Sequence, residues 1–513
     1  EDIRARAEEH FGRRPCHWQC KVCWLILERH DVVCIAPTGV GKTLTFWLPL
    51  LFKPDGVVVV ITPLNILGSQ NRVQLEALGI TAISLDARTA TKENIEAARE
   101  GRYQVIVVNP EIAFGYKSPF EEVWKDEKFA KSLTVVVFDE AHCVSSWGDW
   151  RPHYKYADRL RTLLPSIPFL LLSATLPRHV RNDVLDILQV KPSQAHEVRL
   201  SNDRPNVYLS VRRIEHALTS YKDLDFLIPR DWKPGVKIPK FVIFFDSIAD
   251  AIDAADYLRT RLPPEHRDKL VWFNSNNTAE YRELTTDELR DGMVFGLTCT
   301  DAFGMGVDLS DIEIIIQWKC TCDMDTLWQR FGRAARDAKR EAIAILFVEA
   351  KYFDEDREKA TERARKEEKR RANRAAQKEI GKRKAGDQEQ ERVTKRSRRT
   401  GTTKGDGGSD TDLEVDGERL SLFEKLRVEY LQKMPKAQAD KVKKTSSDGI
   451  GPELDNMVNA RGRGIGCYRA PITAFYENDR LEGPSRFVKC HSHAHPISDR
   501  KQRCPQMRRL HAM

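Results

Sequence analysis

From Val32 to Ile345 the chain alternates short β-branched, apolar runs with longer amphipathic stretches. A short run that is apolar at every position suits a strand buried on both faces, and the amphipathic stretches between such runs suit helices that cover those faces. The alternation therefore predicts wound parallel sheets of the α/β class. Strands are expected at Asp31 to Ala36, Val57 to Thr62, Val105 to Asn109, Thr134 to Phe138 and Phe169 to Ser173. A second series follows at Phe241 to Phe245, Gly296 to Thr300, Ile312 to Gln317 and Ala342 to Val348. Two series imply two tandem domains, placed at 1–200 and 205–350. The stretch from Asp203 to Pro239, with Pro205, Pro229, Pro234, Gly235 and Pro239, reads as the boundary, because prolines interrupt regular pairing.

After Phe353 the pattern ends. Asp354 to about Lys384 is Arg, Lys, Glu, Ala and Gln without an apolar stripe, so it cannot bury a face and reads as a solvated helix or disordered linker. Gly and Asp residues extend this charged linker through 354–417, and 418–513 forms a small irregular C-terminal segment in which Leu420 to Met434 suits one short amphipathic helix. Charge is concentrated here: from Arg357 to Thr400, 18 Lys and Arg stand against 8 Asp and Glu, a larger surplus than the +8 of the entire chain. The rest is close to neutral, so any grip on nucleic acid must be local and not a bulk attraction. Lys382-Arg383-Lys384, ten residues and then Lys395-Arg396-Ser397-Arg398-Arg399 has the two-cluster form of a nuclear address, which implies an import receptor as partner and the nucleus as location. No run approaches the roughly 18 apolar residues of a membrane span. The eleven cysteines are scattered, mostly within apolar runs, as expected of a soluble protein in a reducing compartment.

Two segments carry recognisable chemistry. Ala36-Pro37-Thr38-Gly39-Val40-Gly41-Lys42-Thr43 lies between a predicted strand and a helix and matches a phosphate-binding loop, with Ala36 or Pro37 where the stricter form has its first glycine. Gly39 and Gly41 allow the backbone to curl its N–H groups toward phosphates, Lys42 reaches the outer phosphates, and the Thr43 hydroxyl helps hold Mg²⁺. About a hundred residues on, Val135-Val136-Val137-Phe138 delivers Asp139-Glu140-Ala141-His142 at the carboxyl end of a strand, where open α/β sheets bind ligands. Asp139 suits Mg²⁺ coordination and Glu140 suits orienting and deprotonating an attacking water. With the loop and the acids expected on neighbouring strands, together they read as an ATP site.

The order of these and further motifs resembles superfamily 2 helicases, in RecQ-like form, over roughly Phe11 to Val348. That resemblance implies two RecA-like domains and an ATP-dependent DNA helicase or translocase of 3′ to 5′ polarity, acting on single-stranded and forked DNA in repair and recombination. Phe11-Gly12 with Trp18-Gln19 resembles the motif whose glutamine reads adenine. Thr62-Pro63-Leu64 and Asn109-Pro110-Glu111 resemble strand-contacting motifs, which brings Pro63 and Pro110 into the expected nucleic-acid site. Ser173-Ala174-Thr175 is similar to the motif that links hydrolysis to domain movement, and Thr300 to Asp308 resembles the RecQ form of motif V. Gln329-Arg330-Phe331-Gly332-Arg333-Ala334-Ala335-Arg336-Asp337 resembles motif VI, with Ala335 where the family usually has glycine. Charge spreading over the transferred phosphoryl group calls for a cation from across the cleft, a role that suits Arg333 and Arg336. Gln329 is expected to couple to His142. Ser146 to Tyr154 resembles the aromatic-rich loop, one residue short between Gly148 and Asp149; Trp147 and Trp150 suit base stacking and Arg151 suits phosphate.

Cys16, Cys20 and Cys23 have no second ligand pair nearby and argue against a metal there. Cys467-Tyr468-Arg469 through Phe475-Tyr476 faintly resembles the start of the RecQ zinc segment, with Cys490 and His493 downstream and Cys504, His491 or His495 as a fourth ligand. Zn²⁺ or a disordered Cys/His tail both fit that composition. Two other readings of the chain stay open: a DEAH-type RNA helicase, for which RNA is the partner, and a nucleic-acid-binding scaffold with a dead ATPase site.

Overall fold

The computed structural model describes residues 2–63, 75–114, 118–146, 152–303, 309–337, 339–386, 450–465 and 467–478. A first sheet holds β1 (Val32–Ile35), β2 (Val57–Ile61), β3 (Ala82–Leu85), β4 (Val105–Val108), β5 (Leu133–Phe138), β6 (Phe169–Ser173) and β7 (His196–Arg199), all parallel, in the order β3-β4-β2-β5-β6-β1-β7. A second holds β8 (Val207–Arg213), β9 (Phe241–Phe244), β10 (Leu270–Phe273), β11 (Gly296–Cys299), β12 (Ile314–Trp318) and β13 (Ala342–Val348), in the order β10-β11-β9-β12-β13-β8 and again all parallel. These are the two tandem parallel-sheet domains that the alternation implied, as the helicase resemblance expects of RecA-like folds.

The apolar runs are apolar throughout because each central strand feeds two cores. Val57, Val59 and Ile61 join Val33 and Ile35 on one face of the first sheet, while Val58 and Val60 join Val32 and Cys34 on the other. In the second sheet Val242 and Phe244 pack on one side, Phe241 and Ile243 on the other.

The proline-rich stretch is not a linker. β8 lies inside it and pairs with β13. Beyond β8, Ile214, Tyr221, Leu224, Leu227, Trp232 and Ile238 are buried in a core of the second domain. The prolines separate tight turns that still pack, and the crossing between domains shrinks to residues 200–206.

The charged stretch forms a helix, Asp354–Gly386. Its side chains are exposed from Glu358 to Asn373, and the pairs Glu362 with Lys366 (3.3 Å) and Glu367 with Arg371 (2.8 Å) stand one turn apart, the spacing that supports a solvated helix. The C-terminal segment is less irregular than its composition suggested. Helices Pro452–Val458 and Arg469–Phe475 pack together, and Leu454, Met457, Ile472 and Tyr476 complete a core of the second domain. The two basic clusters, apart from the backbone of Lys382 to Lys384, and the predicted helix Leu420 to Met434 lie outside the described residues. Among the described residues no helix is long and apolar enough to cross a membrane.

Candidate active site

β1 ends at Ile35 and the chain turns at once through Ala36 to Thr43. Gly39 and Gly41 both have φ of +81°, where a Cβ costs about 1–2 kcal/mol, so the curl requires these glycines. Lys42 Nζ donates to the carbonyls of Ala36 (3.1 Å) and Pro37 (3.0 Å), which fixes the ammonium inside the loop. Burial pulls its pKa below the usual lysine range, and the Glu140 and Asp139 carboxylates push it back up. The helix after the loop is a single turn, Leu44–Trp47, passing into a 3₁₀ turn that contains Pro49. A phosphate here is met by loop N–H groups and Lys42 more than by the dipole of a long helix.

Gln19 is buried, its Nε2 donating to Gly41 O (2.9 Å) and its Oε1 accepting from Cys16 N (2.7 Å). Its amide thus braces the phosphate loop; one N–H and one lone pair remain for an adenine edge.

The acids are placed by their backbone. Asp139 N donates to Ile61 O (2.9 Å) of β2, and Ala141 N to Leu172 O (2.7 Å) of β6. Glu140, between these anchors, takes φ of +50°, an uncommon conformation that such sites sustain. Burial first and the Glu140 charge second raise the Asp139 pKa, opposed by Lys42. A buried carboxylate beside a second acid suits a cation, and the Thr43 hydroxyl with the Asp139 carboxylate are the hard oxygen donors that Mg²⁺ takes. The residues present fit that ion.

The strand order corrects one expectation. The phosphate loop and the acids are not on adjacent strands, because β6 stands between β5 and β1. Ser173, at its end, is therefore central. Ser173 Oγ donates to Thr175 O (2.7 Å) and lies 2.9 Å from His142 Nδ1, which is 3.4 Å from Glu140 Oε2. Burial lowers the His142 pKa and favours the neutral ring, and its network assigns the proton to Nδ1.

The second domain reaches into this network. Helix Met324–Phe331, capped by Asp323 on Thr326 N (2.8 Å), carries Gln329, whose Nε2 donates to His142 Nε2 (2.9 Å) and Thr175 Oγ1 (2.8 Å). Beyond it, Thr38 Oγ1 of the phosphate loop donates to Gly332 O (3.2 Å). The Arg336 side chain lies over the phosphate loop: its Cβ, Cγ and Cδ are each 4.0 Å from where a Cβ on Gly39 would stand. Arg333 is buried. One cleft edge is shared by Pro37, Thr38, Ala174 and Thr175 of the first domain and Gln329 and Gly332 of the second.

Motif reading missed several residues. Arg330 is buried, with Nε on Asp301 Oδ1 (2.9 Å), Nη2 on Asp246 (2.7 Å) and its guanidinium over Phe244, so it ties together three segments of the second domain. Arg204 donates to Gly332 O (2.9 Å), Ala334 O (2.8 Å) and Ala335 O (2.8 Å). Trp328 Nε1 donates to Asn202 O (3.1 Å), and Asn202 Nδ2 to Ala174 O (3.2 Å). Arg204 and Asn202 belong to the short crossing, where no periodicity distinguishes them.

The expected nucleic-acid contacts fare differently. Pro63 and Pro110 are buried, so their rings offer a strand no surface. Pro110 instead opens helix Pro110–Phe114, where Asn109 Oδ1 accepts from Ile112 N (3.2 Å). Trp147, Trp150, Arg151 and Asp308 lie outside the described residues, whereas Tyr154 is a core residue. Cys467 is buried; Cys490, His493 and Cys504 lie outside the described residues, and among the described residues no three metal-ligating side chains cluster. Only one of the expected zinc ligands, Cys467, therefore lies among the described residues.

Compared with known proteins, residues 16–183 match the DEAD/DEAH box helicase family and residues 233–338 the helicase conserved C-terminal domain. The chain carries a DEAD/DEAH box helicase domain followed by a helicase conserved C-terminal domain. Within these helicases it is similar, at 28% identity over 67% of its length, to the bifunctional 3′-5′ exonuclease/ATP-dependent helicase WRN of Mus musculus, and at 30% over 63% to ATP-dependent DNA helicase Q1 of Rattus norvegicus. It is also 27% identical, over 61% of its length, to a protein named as an ATP-dependent RNA helicase, R290 of Acanthamoeba polyphaga mimivirus. The chain spans 24%, 51% and 54% of those three proteins respectively. The DNA-bound helicase MrfA shares the fold, with a TM-score of 0.55 at 17% identity, covering 68% of this chain and 51% of that one.

Proposed function

We propose that this helicase hydrolyses ATP between its two domains to move along single-stranded DNA from 3′ to 5′ and separate a duplex. The observation that carries the reading is the Gln329 amide, bonded at once to His142 and Thr175 of the other domain. It links the acid motif, the Ser173 motif and the arginine-bearing loop in one hydrogen-bonded group.

The triphosphate is held by the loop N–H groups from Thr38 to Thr43 and by Lys42, whose bonds to Ala36 and Pro37 exchange for phosphate oxygens. Thr43 and Asp139 would hold Mg²⁺, which would neutralise part of the triphosphate charge. Glu140 orients the attacking water and takes its proton. Arg336, already against the phosphate loop, and Arg333 meet the charge that develops on the transferred group. Ser173 fixes the His142 ring, so a change at Glu140 on phosphate release reaches Gln329 and hence the second domain.

DNA is preferred as the track because the aromatic-rich loop and the wording of motif V resemble RecQ, and because relatives named DNA helicases match over both domains. The relative named an RNA helicase keeps RNA as the second reading. Steady-state hydrolysis with single-stranded DNA or RNA separates them: stimulation by RNA alone ends the DNA reading. Lys42→Ala should lower kcat by at least about 10²-fold while strand binding persists; normal turnover in that variant would refute the site. Displacement of strands from 3′-tailed against 5′-tailed duplexes tests polarity. The basic clusters at Lys382 and Lys395 are proposed as a nuclear import address, checked by mutating both in a fluorescent fusion. Zinc at Cys467, Cys490, His493 and Cys504 is tested by metal analysis of the purified protein; no step above runs through it.

A further inference from the structure

We propose that Arg204 positions the arginine-bearing loop of the second domain against the phosphate loop, and that the C-terminal helix Arg469–Phe475 holds Arg204 there through Arg469. The proposal rests on the ATP-driven reading above and adds to it a positioning residue and a role for the C-terminal segment.

Arg204 sits in the crossing between the domains, where its planar fork meets three carbonyls of one loop: Gly332 (2.9 Å), Ala334 (2.8 Å) and Ala335 (2.8 Å). These carbonyls flank Arg333 and precede Arg336. Asn206 adds a bond from Nδ2 to Ala335 O (2.8 Å) and another to Arg340 O (2.9 Å). Gly332 O is also the acceptor for Thr38 of the phosphate loop (3.2 Å). One carbonyl thus receives a donor from the ATP-binding domain and a donor from the hinge. A guanidinium suits this task because its donors are fixed in one plane; an ammonium cannot hold the same three acceptors in register. Burial, and then the charge of Arg336, press the Arg204 pKa down to about 10, so the carbonyl fork is what makes a buried cation tolerable beside a second one.

The hinge is held from its other side by the C-terminal segment. Arg469 pairs with Asp203 and donates to Arg204 O (3.0 Å) and to Val207 O. Asn478 Nδ2 donates to Asn202 Oδ1 (2.7 Å), and Arg199 Nη1 to Tyr476 O (3.2 Å). Tyr476 Oη in turn donates to Asp325 (2.8 Å) in the helix that carries Gln329. Residues 199–207 therefore lie between the arginine loop and the segment around Arg469. A rotation of the domains alters the backbone of this crossing, and Arg204 carries the change to Arg333 and Arg336. An arginine displaced by about 1 Å from developing charge can cost on the order of 10²-fold in rate, so a positioning group here acts on kcat.

The full-length protein is tested at saturating single-stranded DNA, with kcat and KM for ATP separated and melting temperature recorded for each variant. Arg204→Gln should lower kcat by about 10- to 100-fold with KM within about threefold, and Arg204→Lys should recover part of the loss. Arg469→Gln should lower kcat by a smaller factor with melting nearly unchanged, and it keeps the proposal testable if Arg204→Gln does not fold. The double variant should be no slower than Arg204→Gln, because both act through one group. Unchanged kcat in a folded Arg204→Gln protein, or a loss confined to KM, overturns the positioning role; strict additivity in the double variant overturns the link to Arg469. A wild-type protein without ATP turnover would remove the parent reading and this one together, whereas normal wild-type turnover with unaffected variants removes this one alone.

Discussion

Ala335 shows what a departure from a motif costs. It has φ of +37° and is fully buried, with its N–H donated to Ile312 O (3.0 Å). A left-handed residue with a Cβ costs about 1–2 kcal/mol, which explains why glycine suits the position. Yet glycine would forfeit a buried methyl of about 0.8 kcal/mol and add about 0.4–1 kcal/mol of unfolded-state entropy. The terms nearly cancel, so Ala335→Gly should shift urea-unfolding stability by less than about 1 kcal/mol. Ala335→Val, which branches the chain at a left-handed φ and overfills a closed site, should cost more than about 2 kcal/mol. A large loss in the glycine variant would show that this loop is not held as described. At this scale the chemistry was legible where a residue type is forced, as at Gly39, Lys42 and Asp139. It was not legible where a residue acts on backbone carbonyls, as Arg204 does, because any segment of chain offers those.

Among elements, the strands foreseen were those with two buried faces. The four that escaped, β3, β7, β8 and β10, are the four sheet edges, where a strand needs less apolar sequence; β7 reads His-Glu-Val-Arg and only Val198 is buried. The C-terminal helices escaped for a related reason: Leu454, Met457 and Ile472 are too few to show periodicity, and their meaning lies in the core they complete. Their docking carries a pH signature. Asp325 accepts from Tyr476 Oη, and burial raises its pKa to about 7, assisted by the Asp323 and Glu453 charges and opposed by the tyrosine bond. The folded state thus binds a proton more tightly than the unfolded chain. Its contribution is fully present below about pH 4, and is lost as pH rises toward about 7. Asp325→Asn, which keeps an acceptor for Tyr476 without the charge, should flatten this dependence and raise stability above pH 7 by up to about 4 kcal/mol. Melting curves from pH 4 to about 8 that fall in parallel for both proteins would exclude Asp325 as the source.

At the scale of the molecule, each sheet has its own pair of cores, whereas the two sides of the cleft are joined, among the described residues, by polar contacts that include Thr38 to Gly332 and Gln329 to His142 and Thr175 on one side, and Arg199 and Asn202 to the C-terminal segment on the other. A neutral hydrogen bond contributes about 0.5–1.5 kcal/mol net, while burying a single Leu or Phe side chain contributes about 1.5–3 kcal/mol. Cohesion within each domain therefore far exceeds cohesion between them, as the proposed opening and closing of the cleft requires. Calorimetry without nucleotide should resolve two unfolding transitions. A non-hydrolysable ATP analogue at about 100 times its Kd adds about 2.7 kcal/mol to whatever it binds. If it is clasped by the phosphate loop and by Arg333 and Arg336 together, that stabilisation belongs to both domains and the transitions should move up and merge. If it touches the first domain alone, only one transition should move. Replacing Gln329 by Ala should separate the merged peaks again, since it removes the bonds that tie the ends of β5 and β6 to the second domain.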